Sequence, residues 1–271
     1  MKTTLEPTSN DTLRQGVREH YAKVAEASGC GCSTTCCTPG GPQRDAAQAS
    51  QTLGYSAEQT GAVPEGANLG LGCGNPLAIA SLEAGQTVLD LGSGAGFDTF
   101  LAARAVGPKG RAIGVDMTPA MLTKARENAA KSGLDNTDFR LGEIENLPVS
   151  DASVDVILSN CVINLSPDKA RVFAEAARVL KPGGRLAISD VVALKPVPDE
   201  MKADMALYAG CASGSALIAD LEQMLAQAGF EDIRITPKPE SREVIREWFP
   251  GKGLEDRFAS AIIEAVKPLR A

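Results

Sequence analysis

Between residues 86 and 192, two hydrophobic patterns take turns along the chain. Runs that are apolar almost throughout, TVLDLG at 87–92, RAIGVD at 111–116 and VDVILSN at 154–160, alternate with stretches whose apolar residues recur every three or four positions. The first pattern predicts buried strands and the second amphipathic helices. Phe97 to Val106 reads as a helix. Thr118 caps the next, with Pro119 at its first position, Met121, Leu122, Ala125, Ala129 and Ala130 on one face, and Gly133 closing it. A weaker strand near Thr137 to Leu141, a helix from Pro167 or Asp168 to Leu180, a turn KPGG at 181–184 and a strand RLAISDVV at 185–192 complete the series. Such alternation implies an α/β fold, a doubly wound, mainly parallel sheet covered on both faces.

The flanks differ in character. Residues 1–85 combine a polar, helix-compatible stretch through Val24, the cysteine-rich loop GCGCSTTCCTPGGP at 29–42, a short helical region from Arg44 to Leu53, and the turn-rich segment AVPEGANLGLGCGNP at 62–76. Residues 193–271 form a smaller α+β region, with helical patterns near Asp199 to Tyr208 and Ala216 to Ala228, a strand near Asp232 to Ile235, and a strand or helix near Ser260 to Val266. The chain thus divides into a Cys-rich extension at 1–85, a core at 86–192 and a C-terminal region at 193–271.

Charge and composition narrow the partners. With 34 acidic against 27 basic side chains, a net charge of −7 and no Lys/Arg cluster, the chain is a poor match for nucleic acid. Its longest apolar run, Val154 to Leu165, is broken by Asp155, Ser159, Asn160 and Asn164 and falls short of the ~20 residues of a membrane-spanning helix. The first residues have no apolar secretory core, so a cytoplasmic protein, monomeric by default, with a small-molecule ligand is expected. His20 is the sole histidine, which argues against histidine-based triads and zinc sites. Seven cysteines in a reducing compartment are metal ligands, nucleophiles, redox groups or core residues.

The first strand runs into Asp90-Leu91-Gly92-Ser93-Gly94-Ala95-Gly96, which opens a helix. Glycines there let backbone N–H groups approach a nucleotide-like ligand at the carboxyl edge of the sheet. The spacing is GxGxG with an acid two residues before the first glycine, unlike the GxGxxG of dinucleotide sites. This pattern resembles the class I S-adenosylmethionine-dependent methyltransferases, which implies a Rossmann-like fold. The resemblance places Asp90, Gly92, Ser93, Gly94 and Gly96 against the methionine portion of the cofactor and Asp116, with Met117, at the ribose. It also places Glu143 and Ile144 beside the adenine and Asn160 at the cofactor's edge.

Three cysteines stand apart. Cys161 ends the fourth strand, at the edge where open α/β sheets bind ligands, while Cys73 and Cys211 lie among small residues in GLGCGNP and YAGCASG. Taken singly, each is accounted for as a small buried hydrophobe. If they converge, they form a three-thiolate site without the fourth ligand of a closed zinc site. Soft thiolates select thiophilic centres. Trivalent arsenic, pyramidal with a lone pair turned away from its three ligands, suits such a site.

Together, GLGCGNP at 70–76, SNCVINL at 159–165 and YAGCASG at 208–214 around the glycine loop resemble the arsenite S-adenosylmethionine methyltransferases over nearly the whole chain. The resemblance implies that Cys73, Cys161 and Cys211 bind As(III) and accept the methyl group onto it, in arsenic detoxification. It also implies a thiol reductant, glutathione or thioredoxin, as co-substrate. One upstream cysteine is expected to partner Cys73 in redox cycling. Counting from Tyr21-Ala22-Lys23-Val24 reaches Cys36 or Cys37, with Cys30 and Cys32 as further candidates for redox or arsenic transfer. Structural zinc at these four is disfavoured, because neither pair has CxxC spacing. Two other functions fit the cofactor motif: methylation of a carbon, oxygen or nitrogen of a small metabolite, for which Tyr208 is a weak base candidate, and arsenic sequestration or sensing without turnover.

Overall fold

The computed structural model describes residues 9–26, 45–248 and 251–269. Cys30, Cys32, Cys36 and Cys37 lie outside the described residues. Seven strands form one sheet in the order β3-β2-β1-β4-β5-β7-β6. They are β1 (Thr87–Leu91), β2 (Arg111–Asp116), β3 (Thr137–Leu141), β4 (Val154–Asn160), β5 (Leu180–Ala193), β6 (Glu231–Pro237) and β7 (Phe258–Val266). The first five pair in parallel, and β7 runs antiparallel between β5 and β6. The two C-terminal strands therefore extend the same sheet.

Side chains of a strand point alternately to opposite faces, and both faces here are dry. Val88, Ala112, Val156, Leu158 and Ala187 pack with Ala102, Ala103 and Val106 of helix α5 (Phe97–Val106). Their neighbours Leu89, Leu91, Ile113, Val115, Ile157, Leu186 and Ile188 pack on the opposite side. There they meet Val172, Phe173 and Ala176 of α7 (Lys169–Val179) and Leu221 and Leu225 of α10 (Ile218–Gln227).

The remaining helices are α1 (Asn10–Glu26), α2 (Ala46–Thr52), α3 (Ala57–Gly61), α4 (Leu77–Ala80), α6 (Pro119–Ser132), α8 (Asp199–Lys202), α9 (Met205–Ala209) and α11 (Ser241–Trp248). Several depart from the pattern the sequence predicts. Thr118 precedes α6 without a side-chain cap to the helix; instead its own N–H donates to Asp116 Oδ1 at 2.8 Å. On α6 Ala130 is exposed and Ala129 only half-buried, whereas Asn128 is buried and donates from Nδ2 to the Ala95 carbonyl at 3.1 Å. The helical pattern at 199–208 splits into α8 and α9 because Asp204 starts a new helix by accepting from the N–H groups of Ala206 and Leu207. The KPGG segment is a bulge inside β5, where pairing with β4 jumps from Val154↔Leu180 to Val156↔Arg185. Among the described residues, no helix is long and apolar enough to cross a membrane.

Candidate functional site

At the carboxyl end of β1 the chain turns through Gly92, Gly94 and Gly96, all at positive φ. A Cβ at Gly92 would lie 2.4 Å from Val162 Cγ2, and one at Gly96 2.6 Å from Phe100 Cε2, so neither position admits a larger residue. At Gly94 the nearest atom to such a Cβ is 4.0 Å away, which leaves open space above the loop. Asp116 sits across this opening. Its Oδ2 accepts from Gly94 N at 2.9 Å. Asp90 is buried and accepts from Thr99 Oγ1 at 2.7 Å. Burial raises the pKa of Asp90, Asp98 and Asp116; Asp98 reaches about 6, and the neighbouring Asp98 carboxyl pushes Asp90 up further. Ser93 Oγ is buried without a hydrogen-bond partner among the described residues. A buried acidic rim, an unpartnered hydroxyl and an open glycine turn fit a polar ligand that carries positive charge.

Glu143 and Ile144 follow β3. Helix α1 clasps this segment: Arg14 Nε pairs with Glu145 Oε1 at 3.3 Å and Glu143 Oε2 at 3.5 Å, and Arg18 pairs with Glu143. Ser166 Oγ also donates to Glu145 Oε1, at 2.8 Å.

The second half of the site grows from the ends of β4 and β5. Cys161 extends β4 and donates its N–H to the Ser189 carbonyl at 2.8 Å. Its backbone then turns through φ 62° into a short 3₁₀ segment, Ile163–Leu165. Within that segment Asn164 acts as an anchor: its Nδ2 donates to the carbonyls of Val191 (2.6 Å) and Cys211 (3.3 Å) and to Ser215 Oγ (3.0 Å). This ties the YAGCASG segment to the end of β4. Cys211, at φ 61°, aims its thiol at the Cys161 carbonyl, 2.9 Å away.

Cys73 arrives from the other direction. Its N–H donates to Asn160 Oδ1 at 3.0 Å, and its Sγ approaches the Ser189 carbonyl at 3.5 Å. Asn160 Nδ2 meanwhile donates to the Gly74 carbonyl (2.9 Å), the Tyr55 hydroxyl (3.0 Å) and Asp98 Oδ2 (3.3 Å). Gly72 (φ 122°) has to be glycine, because its Cβ would lie 2.8 Å from the Asn160 carboxamide. Asn160 thus serves as a fastener between the Cys73 loop and the helix behind the glycine turn.

The three thiols share one buried apolar cluster with Val17, Leu165, Tyr208 and Phe258, and Tyr21 and Met117 pack against it. The thiols of Cys211 and Cys73 crowd that of Cys161, and their proximity together with burial raises its pKa well above the ordinary thiol value. Sequence reasoning passed over Asp190. One of its oxygens and the Sγ atoms of Cys73 and Cys161 all lie within 4.8 Å of one another, and Cys211 falls outside that tight trio. Asp190 is buried, with its pKa raised to about 6 by desolvation. Nothing but the run SDVV in an apolar strand marked it. Tyr208 donates its hydroxyl to the Leu165 carbonyl at 3.1 Å, and burial raises its pKa, so it is poorly suited to act as a base.

Strand order, glycine turn and acidic rim define a class I methyltransferase fold, and residues 82–229 match the methyltransferase domain family. The arsenite methyltransferase of Halobacterium salinarum is 50% identical over 96% of this chain and 68% of its own length. The chain belongs to the arsenite methyltransferase family. The enzyme of that name from Aquipseudomonas alcaligenes is 40% identical over 82% of this chain, which covers 63% of it. An arsenic(III) S-adenosylmethionine methyltransferase from Chlamydomonas reinhardtii superposes with a TM-score of 0.62 at 36% identity, over 82% of this chain and 74% of that one.

Proposed function

We propose that the chain transfers a methyl group from S-adenosylmethionine to trivalent arsenic held by Cys73, Cys161 and Cys211. The observation that carries this reading is the gathering of three thiols, remote in sequence, in one buried cluster at the sheet edge that also bears the glycine turn. When bound, the cofactor supplies an electrophilic sulfonium methyl. Gly92, Ser93, Gly94 and Gly96 hold its amino-acid end beside Asp90, Asp116 and Met117 take the ribose, and Glu143 and Ile144 border the base. Asn160 acts from behind the cofactor edge, through the Cys73 loop.

The arsenic lone pair is the nucleophile, so no general base is needed, in keeping with a site that holds no histidine. The As–C bond forms as the C–S bond breaks, and the electron pair of that bond leaves on sulfur. What the chain contributes is position. Two sites fixed on one sheet edge convert an encounter into a near-attack arrangement, an effect worth up to ~7–11 kcal/mol. The arsenic leaves that step formally more oxidised, so a thiol reductant, glutathione or thioredoxin, returns it to the trivalent state. Cys30, Cys32, Cys36 and Cys37 are the reading's candidates for arsenic capture and redox exchange. The reading is of a cytoplasmic monomer, with the extension at 1–85 and the region at 193–271 each supplying one arsenic ligand to the core.

Product speciation tests this. Incubation with arsenite, thiol and S-adenosylmethionine should yield methylated arsenic. Arsenic that binds without being methylated would indicate sequestration, and no arsenic binding would indicate a metabolite methyltransferase.

A further inference from the structure

Arsenic(III) takes three sulfur ligands and keeps a lone pair, so the proposed reaction gives Asp190 no role. Yet its carboxylate is buried against two of the thiols. Its oxygens accept backbone N–H groups, Oδ1 from Val191 at 2.7 Å and Oδ2 from Ile163 at 2.9 Å, with the Asn164 N–H also acting on the carboxylate. Among the described residues it forms no ion pair. The nearest cation acting on it, Lys169, has its ammonium on the Ser166 carbonyl at 2.9 Å. A buried carboxylate beside soft donors, with no cation in ion-pair contact, is half of a cation site.

We propose that Cys73, Cys161, Cys211 and Asp190 form a four-donor site for a thiophilic divalent cation, Zn2+ or Cd2+, that competes with arsenic. The inference rests on the reading of these thiols as open to ligand. Three sulfurs and one oxygen make a closed tetrahedral set of the kind that holds zinc. Bond lengths of ~2.3 Å to sulfur and ~2.0–2.2 Å to oxygen imply donor separations of about 3.5–3.8 Å. Cys73, Cys161 and Asp190 already lie within 4.8 Å of one another, so a contraction of about 1 Å suffices, and Cys211 joins through its contact with Cys161. Binding releases the thiol protons to solvent. Arsenic and the cation then differ in a single requirement, the oxygen of Asp190.

The experiment uses the full chain with Cys30, Cys32, Cys36 and Cys37 changed to Ser, titrated with Cd2+ alone. Sulfur-to-cadmium charge-transfer absorption follows the titration, and X-ray absorption gives the first shell. One cadmium per chain, with three sulfurs and one oxygen, is the expected result. In assays of the parent chain, cadmium should inhibit competitively against arsenite and not against S-adenosylmethionine. Asp190→Asn should weaken Cd2+ at least about tenfold while moving arsenite affinity less than about threefold. An all-sulfur shell, no stoichiometric binding, or unchanged Cd2+ affinity in Asp190→Asn would overturn the proposal. Should that variant misfold, the first shell of the chain with Asp190 intact decides alone. Cadmium bound with that first shell while the parent chain fails to methylate arsenite supports this site and sinks the proposed reaction, whereas methylation by the parent chain without cadmium binding does the reverse.

Discussion

The thiol of Cys211 donates a hydrogen bond to the carbonyl oxygen of Cys161 at 2.9 Å, across 50 residues of sequence. Both cysteines hold positive φ, 61° and 62°, a conformation that costs a non-glycine residue on the order of 1–3 kcal/mol and persists only where the surroundings enforce it. Cys161→Ser and Cys211→Ser should each lower methyl transfer at least about 100-fold, while titration calorimetry finds S-adenosylmethionine affinity within about twofold of the parent. Cys161→Gly separates strain from chemistry. It removes the backbone penalty along with the sulfur and should be folded and inactive; wild-type turnover in any of the three would refute the ligand assignment.

Asn160 spans the Cys73 loop and the helix behind the glycine turn with four hydrogen bonds. Asn160→Ala strands the Cys73 N–H and the Gly74 carbonyl, and should destabilise the fold by ~1–3 kcal/mol in urea titration. It should also raise KM for arsenite more than it lowers kcat. An unchanged arsenite KM would show that the loop is held by other means.

Gly72→Ala should reproduce the Asn160→Ala defect, because its Cβ would press on the same carboxamide at 2.8 Å. In the double variant the combined cost should fall short of the sum of the two, as expected of residues in contact. Full additivity in denaturation midpoints would argue against a shared contact.

Asp98 is buried against the Tyr55 hydroxyl at 2.6 Å, and its pKa is raised from 3.8 to about 6. Between about pH 4 and pH 6 the folded chain retains a proton that the unfolded chain has lost. The Asp98 contribution to stability therefore falls as pH rises through that window and is constant above it. Comparing unfolding free energies at pH 4 and pH 7, the parent should lose on the order of 1–3 kcal/mol more than Asp98→Asn over this interval. Equal losses would mean that Asp98 ionises normally.

Helix α1 meets the Glu143 to Glu145 segment through Arg14 and Arg18. With Glu145 largely buried, the Arg14→Ala/Arg18→Ala double variant leaves a carboxylate short of charge and should loosen the segment by ~1–3 kcal/mol. The expected readout is a weaker S-adenosylmethionine affinity with a smaller dependence on salt than in the parent.

Strands β1, β2 and β4 were legible almost to the residue because a buried parallel strand is a continuous apolar run, whereas edge strand β3, TDFRL, carries only a weak signal. The pattern at 111–116, for example, became β2 without change. Where local signals misled, a tertiary partner had taken over: Asp116, not Thr118, organises the start of α6, and pairing with β4 absorbs KPGG as a bulge. The short α3, a capping box closed between Ser56 and Gln59, and α11 went unpredicted, since neither carries a long apolar stripe. Cys73, Cys161 and Cys211 could be picked out by their unusual neighbours. Asn164 and Asp190 could not, because a polar residue in an apolar run announces its burial but not its partners.

Two of the three clustered cysteines reside outside the strand–helix alternation at 86–192, and each is held by contacts that only the assembled molecule provides. Cys73 depends on the Asn160 fastening, and Cys211 on Asn164 and on the apolar cluster containing Phe258 of β7. Loosening the Cys73 loop or the C-terminal strands would scatter the thiol cluster, and loosening α1 would also release the Glu143 to Glu145 segment. The meeting of the three thiols is thus a property of the finished tertiary structure, and unfolding of either flank would scatter them along the chain.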